Sequence, residues 1–130
     1  MPLARISLLR GKSNEYLEQL SQGVHDALVE TFEVPPTDRF QVIQQMERHE
    51  LSFDRHYLGG PRSEGFVIIN ISAGKPRSTA TKRAFYAHLA ATLNSRLQLD
   101  PEDLLIIISM SDMEDWSFGG GRMNPAAQGA

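Results

Sequence analysis

The chain contains no cysteine, which rules out both a disulfide framework and a thiolate metal site. No apolar run approaches the roughly 20 residues that a membrane-spanning helix needs. There is no block of lysine and arginine, and the formal net charge is −3, a poor match for a nucleic acid or an anionic membrane surface. Lysine is scarce as well. Of 13 basic residues it supplies only Lys12, Lys75 and Lys82; the rest are arginine, whose planar fork holds carboxylates bidentately. Most of these arginines are assigned to the surface. The opening Met1-Pro2-Leu3-Ala4-Arg5 lacks the charged-then-apolar layout of a secretory leader, so the expected location is the cytoplasm.

What is present fits one domain over residues 1–130, with 41% hydrophobic and 22% charged residues. Its plan is an internal repeat, with halves at about 2–46 and 66–110. In the first half, Ile6-Ser7-Leu8-Leu9 is followed by Gly11-Lys12-Ser13 and a helical stretch. In the second, Val67-Ile68-Ile69-Asn70-Ile71 is followed by Gly74-Lys75, then Ser78 and another helix, with Pro76-Arg77 inserted. Ser13 and Ser78 read as N-caps. Leu17, Leu20, Val24 and Leu28 recur at helical spacing, as do Phe85, Leu89, Leu93 and Leu97, and both stripes are core. Each helix leads through a turn into a strand, Phe40-Gln41-Val42-Ile43 in one half and Leu104-Leu105-Ile106-Ile107-Ile108 in the other.

Strand–helix–strand twice over predicts right-handed crossovers and parallel pairing within each half. The expected fold is α/β, a four-stranded sheet with two helices on one face. The uncovered face calls for a partner, and oligomerisation supplies one. The unbroken apolar run at 104–108 predicts a strand covered on both faces or buried in an interface. The linking segment 47–65 is expected to be a loop with a short hairpin around Leu51–Tyr57, and the tail 119–130 is expected to be irregular at its end.

Several stretches in order carry a family resemblance: Met1-Pro2-Leu3; His25-Asp26-Ala27-Leu28-Val29; Val34-Pro35 with Asp38-Arg39-Phe40-Gln41-Val42; Pro76-Arg77-Ser78; and Asp115-Trp116-Ser117-Phe118-Gly119. With the duplicated unit, these resemble the tautomerase superfamily, and within it the branch of malonate semialdehyde decarboxylase, over the chain up to about residue 122. The resemblance implies a homotrimer and a catalytic N-terminal proline, freed when Met1 is removed. It assigns that proline to Pro2, its aspartate partner to Asp38 and the second of two arginines to Arg77. Lys75 stands where the decarboxylase has its first arginine, keeping the charge but losing the fork. Trp116 and Phe118 match the aromatic wall of the family's pocket.

The chemistry follows from the amine. A free N-terminal proline is a secondary amine whose reference pKa is about 7.7–8.0. With the placement that the resemblance implies, Lys75 and Arg77 would lower it, while Asp38 and burial would act in opposite directions. Neutral, Pro2 is a general base for keto–enol tautomerisation; protonated, it is an acid that polarises a carbonyl for decarboxylation of a 3-oxo acid. It could also form an iminium with an aldehyde. Arg77 and Lys75 would hold a substrate carboxylate or stabilise an enolate, and Trp116 and Phe118 would exclude water. The expected substrate is a small oxo acid, with no metal or organic cofactor.

Each residue has a plainer reading. Pro2 could be inert, Arg77 a surface residue ahead of a helix, and Trp116 core packing. Asp38 could be turn chemistry before a strand, since Asp103 holds the matching place in the other half with no implied role. His49, Asp54 and His56 lie close in sequence but match no metal-ligand pattern, and His25 and His88 read as packing or surface. Gly119-Gly120-Gly121 lacks the lysine of a phosphate loop and reads as a flexible turn. Two rival functions remain: hydration or dehalogenation of a small unsaturated acid, with Asp38, Glu114 or Asp115 activating water, and a non-catalytic trimer that binds a ligand or partner.

Overall fold

The computed structural model describes residues 2–128. Its elements are β1 (Pro2–Leu9), α1 (Asn14–Thr31), β2 (Gln41–Met46), β3 (Val67–Ala73), α2 (Thr79–Leu97), β4 (Leu104–Met110) and a short α3 (Pro125–Gln128). The strands form one sheet in the order β2-β1-β3-β4. β1 pairs with β2 in parallel and β3 with β4 in parallel, while the central β1–β3 pair is antiparallel. The repeat seen in the sequence is therefore a repeat in space.

The helix starts follow local chemistry. The Ser13 hydroxyl accepts from the Tyr16 amide, and that of Ser78 from the Thr81 amide, each satisfying a donor of the first turn. α1 ends at Phe32, where Glu33 takes a left-handed φ of 58° and the following prolines prevent continuation. α2 ends at Gln98, also left-handed. Strand alternation then selects the core face. Ala4, Ile6 and Leu8 of β1 and Val67, Ile69, Ile71 and Ala73 of β3 meet Leu20, Val24, Leu28, Phe85, Leu89 and Leu93 of the helices. Phe32 and Phe85 are fully buried and tilt against each other at 5.0 Å. Burying each such ring contributes on the order of 2–3 kcal/mol.

The opposite sheet face is not covered by helices. Val42 of β2 is 40% exposed and Ile107 of β4 is 43% exposed. The apolar run of β4 is thus covered on one face only within a single chain.

Three expectations change. No strand forms between Leu51 and Tyr57: a 3-10 turn at Arg48–Glu50 leads into an irregular loop, so the expected hairpin is absent. Side chains fix that loop instead of a ladder. The Asp54 carboxylate accepts from the His56 and Tyr57 amides, Arg62 donates to the Asp54 and Tyr57 carbonyls, and Asp103 holds Ser63. β1 begins at Pro2, not Ile6, because backbone pairing on both sides tolerates Arg5 and Ser7 on the open face. The tail is more ordered than expected. Gly119 bridges to Arg122 across left-handed Gly120 and Gly121, and α3 follows; residues 129–130 lie outside the described ones.

Candidate active site

Strand directions bring four chain segments to one end of the sheet. β1 and β2 begin there, and β3 and β4 end there: Pro2 is opposite Ala73, Ala73 is opposite Met110, and Ala4 is opposite Gln41. The segments 32–40, 74–78 and 111–118 therefore surround buried Pro2. The Ala4 amide donates to the Phe40 carbonyl at 3.0 Å, so that residue's N–H points toward β2. Backbone N–H directions alternate along a strand, which turns the Pro2 nitrogen toward the same side. Asp38 lies there, two residues ahead of Phe40.

Asp38 closes a turn in which its amide donates to the Pro35 carbonyl at 3.0 Å. That turn is held from α1 by His25, 6% exposed, whose Nε2 lies 2.8 Å from the Pro36 carbonyl oxygen. A carbonyl only accepts, so Nε2 carries the proton. His25 is thus a packing residue with a defined contact to the Asp38 turn.

Arg77 is buried, not on the surface, at 8% exposure. Its Nε donates to the Phe32 carbonyl at 3.0 Å, its Nη1 donates to the Lys75 carbonyl, and its guanidinium lies 4.6 Å above the Phe32 ring. Burial pushes its pKa down, while the charges of Glu33 and Asp38 oppose that shift. It remains a cation at neutral pH. Two of its five N–H donors serve backbone carbonyls. Lys75 is exposed beside it.

Trp116 closes the other side. The nitrogen side of its indole packs against Gly74, so closely that a β-carbon there would stand 2.7 Å from the indole nitrogen. The indole N–H donates to the Ser111 hydroxyl at 2.8 Å, and the tail folds back so that the Asn124 amide donates to the Trp116 carbonyl at 2.8 Å. Phe118 stacks on Trp116 at 5.7 Å and meets Phe40 at 5.8 Å, giving an aromatic row along the rim. Phe40 is 50% and Phe118 45% exposed.

All six expected residues therefore gather at one sheet end: Pro2, Asp38 and Arg77, with Lys75, Trp116 and Phe118. The chemistry they offer is that of an amine, a carboxylate, two cations and an apolar wall. Two family models, both described as "Tautomerase enzyme", match the chain at residues 38–119 and 2–64.

The chain belongs to the tautomerase superfamily.

Within the superfamily it falls in the malonate semialdehyde decarboxylase-like branch. It is similar to malonate semialdehyde decarboxylase, solved in wild-type, mutant and inactivated forms as a basis for decarboxylase and hydratase activities (TM-score 0.90, 29% identity, 98% of each chain). It is likewise similar to the FG41 malonate semialdehyde decarboxylase inhibited by 3-bromopropiolate (TM-score 0.88, 30% identity, 98% of this chain and 97% of that one). Among curated proteins, the probable tautomerase YusQ of Bacillus subtilis (strain 168) is 37% identical over 122 residues, 94% of this chain and 96% of its own length. A fused 4-OT solved as an asymmetric trimer shares the fold at TM-score 0.78 and 21% identity.

The remaining candidates in this tautomerase-superfamily chain lie elsewhere or are already used. Asp115 accepts from the Asp112 amide at 2.9 Å, capping the 3-10 turn before Trp116, and Glu114 is exposed. Asp103, unassigned by its sequence, is 4% exposed and binds the Ser63 amide and hydroxyl at 2.6 and 2.5 Å. It clamps the linking loop at the opposite end of the sheet from Pro2. His88 contacts Glu30 between the helices. Among the described residues, no three His, Asp or Glu side chains converge as metal ligands. A groove of about 510 Å³ between α1 and β2 has only Glu18 and Arg39 as ionisable groups, and Gln22 and Ser21 already hold Arg39.

Sequence reasoning did not single out Ser111, Phe40 or Gly74 as part of the site. Phe40 stood in a quoted motif, and its place beside Asp38 was the available signal. Ser111 and Gly74 matter only through the indole packed between them, which no spacing announces.

Proposed function

We propose that this chain uses the Pro2 amine, exposed by removal of Met1, for acid–base chemistry on a small 3-oxo acid, with decarboxylation as the leading reaction. The observation that carries the reading is the Ala4–Phe40 hydrogen bond, which turns the Ala4 amide, and by strand alternation the Pro2 nitrogen, to the side of β1 on which the 38–40 segment runs. Arg77 lies within electrostatic reach of that carboxylate. Protonated Pro2 polarises the substrate's aldehyde oxygen, with Asp38 supporting the ammonium form. Lys75 and Arg77 orient the carboxylate. The bond from the α-carbon to the carboxylate breaks, carbon dioxide leaves, and its electron pair enters the carbonyl to form an enol. Return of a proton to carbon gives the aldehyde. The likeness to two malonate semialdehyde decarboxylases supports this order of preference.

Keto–enol tautomerisation is the second reading. It is favoured by the description of the 37% identical relative YusQ as a probable tautomerase, and it uses the same amine as a base. In either case the open sheet face, with Val42 and Ile107, is covered by further copies, and the assembly is a homotrimer. Sedimentation equilibrium would then give three times the chain mass.

The test is proton NMR of Met1-free protein with malonate semialdehyde. Acetaldehyde formed by wild type and lost in Pro2→Ala supports decarboxylation. Turnover of enolised phenylpyruvate alone moves the assignment to tautomerase. Turnover of both unaffected by Pro2→Ala contradicts the proposal.

A further inference from the structure

The Trp116 indole N–H, beside Gly74, is bound by the hydroxyl of Ser111. Ser111, the first residue after β4, occupies a central place in a short chain of hydrogen bonds. Its hydroxyl accepts the indole N–H of Trp116 at 2.8 Å and donates to the Ala73 carbonyl at 3.0 Å. Its own amide donates to that same carbonyl at 2.8 Å. Ala73 is the β3 residue opposite Pro2. The indole is therefore tied, through one side chain, to the backbone that flanks the candidate catalytic amine.

The arrangement has no slack. The hydroxyl has one proton, already given to Ala73, so it faces Trp116 as an acceptor. The indole N–H is a donor only, and a half-buried one gains most from a fixed acceptor. Gly74 leaves no room for the ring to settle closer. The ring in turn supports Phe118 at 5.7 Å, and Phe118 meets Phe40 at 5.8 Å, so the orientation of the whole aromatic row depends on it.

We infer that Ser111 is a positioning residue, which fixes the Trp116 indole against Gly74 and thereby sets the aromatic wall beside Lys75 and Pro2. This rests on the proposed reading that the Pro2 end of the sheet is the reaction site. The geometric part of the inference stands apart from that reading and is tested apart from it.

Trp116 is the only tryptophan in the chain, so its fluorescence reports this site alone. Ser111→Ala is compared with wild type and with Ser111→Thr, which keeps the hydroxyl. The expected result is emission at longer wavelength and stronger acrylamide quenching in Ser111→Ala, with both restored in Ser111→Thr. Unchanged emission and quenching in Ser111→Ala would overturn the inference. In turnover, Ser111→Ala should lower kcat/KM by roughly 2- to 10-fold, the effect of one lost hydrogen bond. It should have no further effect when added to Trp116→Phe, because the serine acts only through the indole. Full additivity of the two changes would also overturn it. If wild type turns over no oxo acid, the proposed function fails, while the fluorescence comparison still decides whether Ser111 holds the indole.

Discussion

Gly74→Ala puts one methyl group into the contact between β3 and the aromatic wall. The added carbon would stand 2.7 Å from the Trp116 indole nitrogen, 3.0 Å from Cδ1 and 3.2 Å from Cε2. Ordinary carbon contacts lie at about 3.5–4.0 Å, so the ring must retreat by about 0.8 Å. A shift of that size takes the 2.8 Å bond to Ser111 out of good geometry. Losing that bond costs about 1 kcal/mol, and crowding adds at least about 1 kcal/mol more. The melting temperature should fall by on the order of 8 °C. Activity should fall further than stability suggests, because a misplacement near 1 Å at a reacting site costs on the order of 100-fold. Gly119→Ala is the matched control, since its methyl meets nothing closer than 3.9 Å. Thermal melts, tryptophan emission and kcat/KM of the two variants make the comparison. A Gly74→Ala protein with wild-type emission and turnover would refute the packing argument.

Other perturbations reach different parts of the chain. Arg77→Lys keeps the charge but cannot reproduce the fork that binds the Phe32 and Lys75 carbonyls. It should cost about 2 kcal/mol in urea unfolding and lower kcat/KM. Asp103→Ala releases Ser63, and limited trypsin digestion should then cleave faster after Arg55 and Arg62 while the Pro2 site keeps its activity. Asp26 is partly buried, which opposes its ionisation, but hydrogen bonds from Arg96 and Gln22 hold its pKa below the ordinary value. A lowered folded-state pKa stabilises above the unfolded value of about 3.9 and is lost as pH falls through the folded one. Asp26→Asn should therefore be less stable by up to about 1 kcal/mol near pH 7, with the difference shrinking in melts as the pH is taken down through the lowered folded-state value.

Much of this was legible in the sequence because local rules agreed. The serine caps, the two helical stripes and the apolar strands each indicated the repeat, and the repeat fixed parallel pairing within each half. The antiparallel pairing between the two halves was not read from the sequence, and the grouping of Pro2, Asp38 and the Lys75–Arg77 segment was expected only from the family resemblance. The linking loop was less legible because its order comes from distant side chains: Asp103 lies 40 residues from Ser63, and Glu102 reaches the Gly60 amide over 42. Arg77 shows the same limit. Its sequence allowed a surface cation, and only the fold reveals that half its work is to hold the Phe32 and Lys75 carbonyls in place. Ser111 was invisible for a related reason, since a serine after a strand has no signature until a tryptophan is packed against it.

The central claim is that Pro2 carries a free, reactive amine at this site. Intact-mass analysis before and after treatment with a small electrophilic acetylenic acid that alkylates free amines, followed by peptide mapping, tests it most directly. The account predicts a chain lacking Met1 that gains one adduct on Pro2, with the adduct absent from Pro2→Ala. A chain that retains Met1, or one labelled equally well without Pro2, would contradict it.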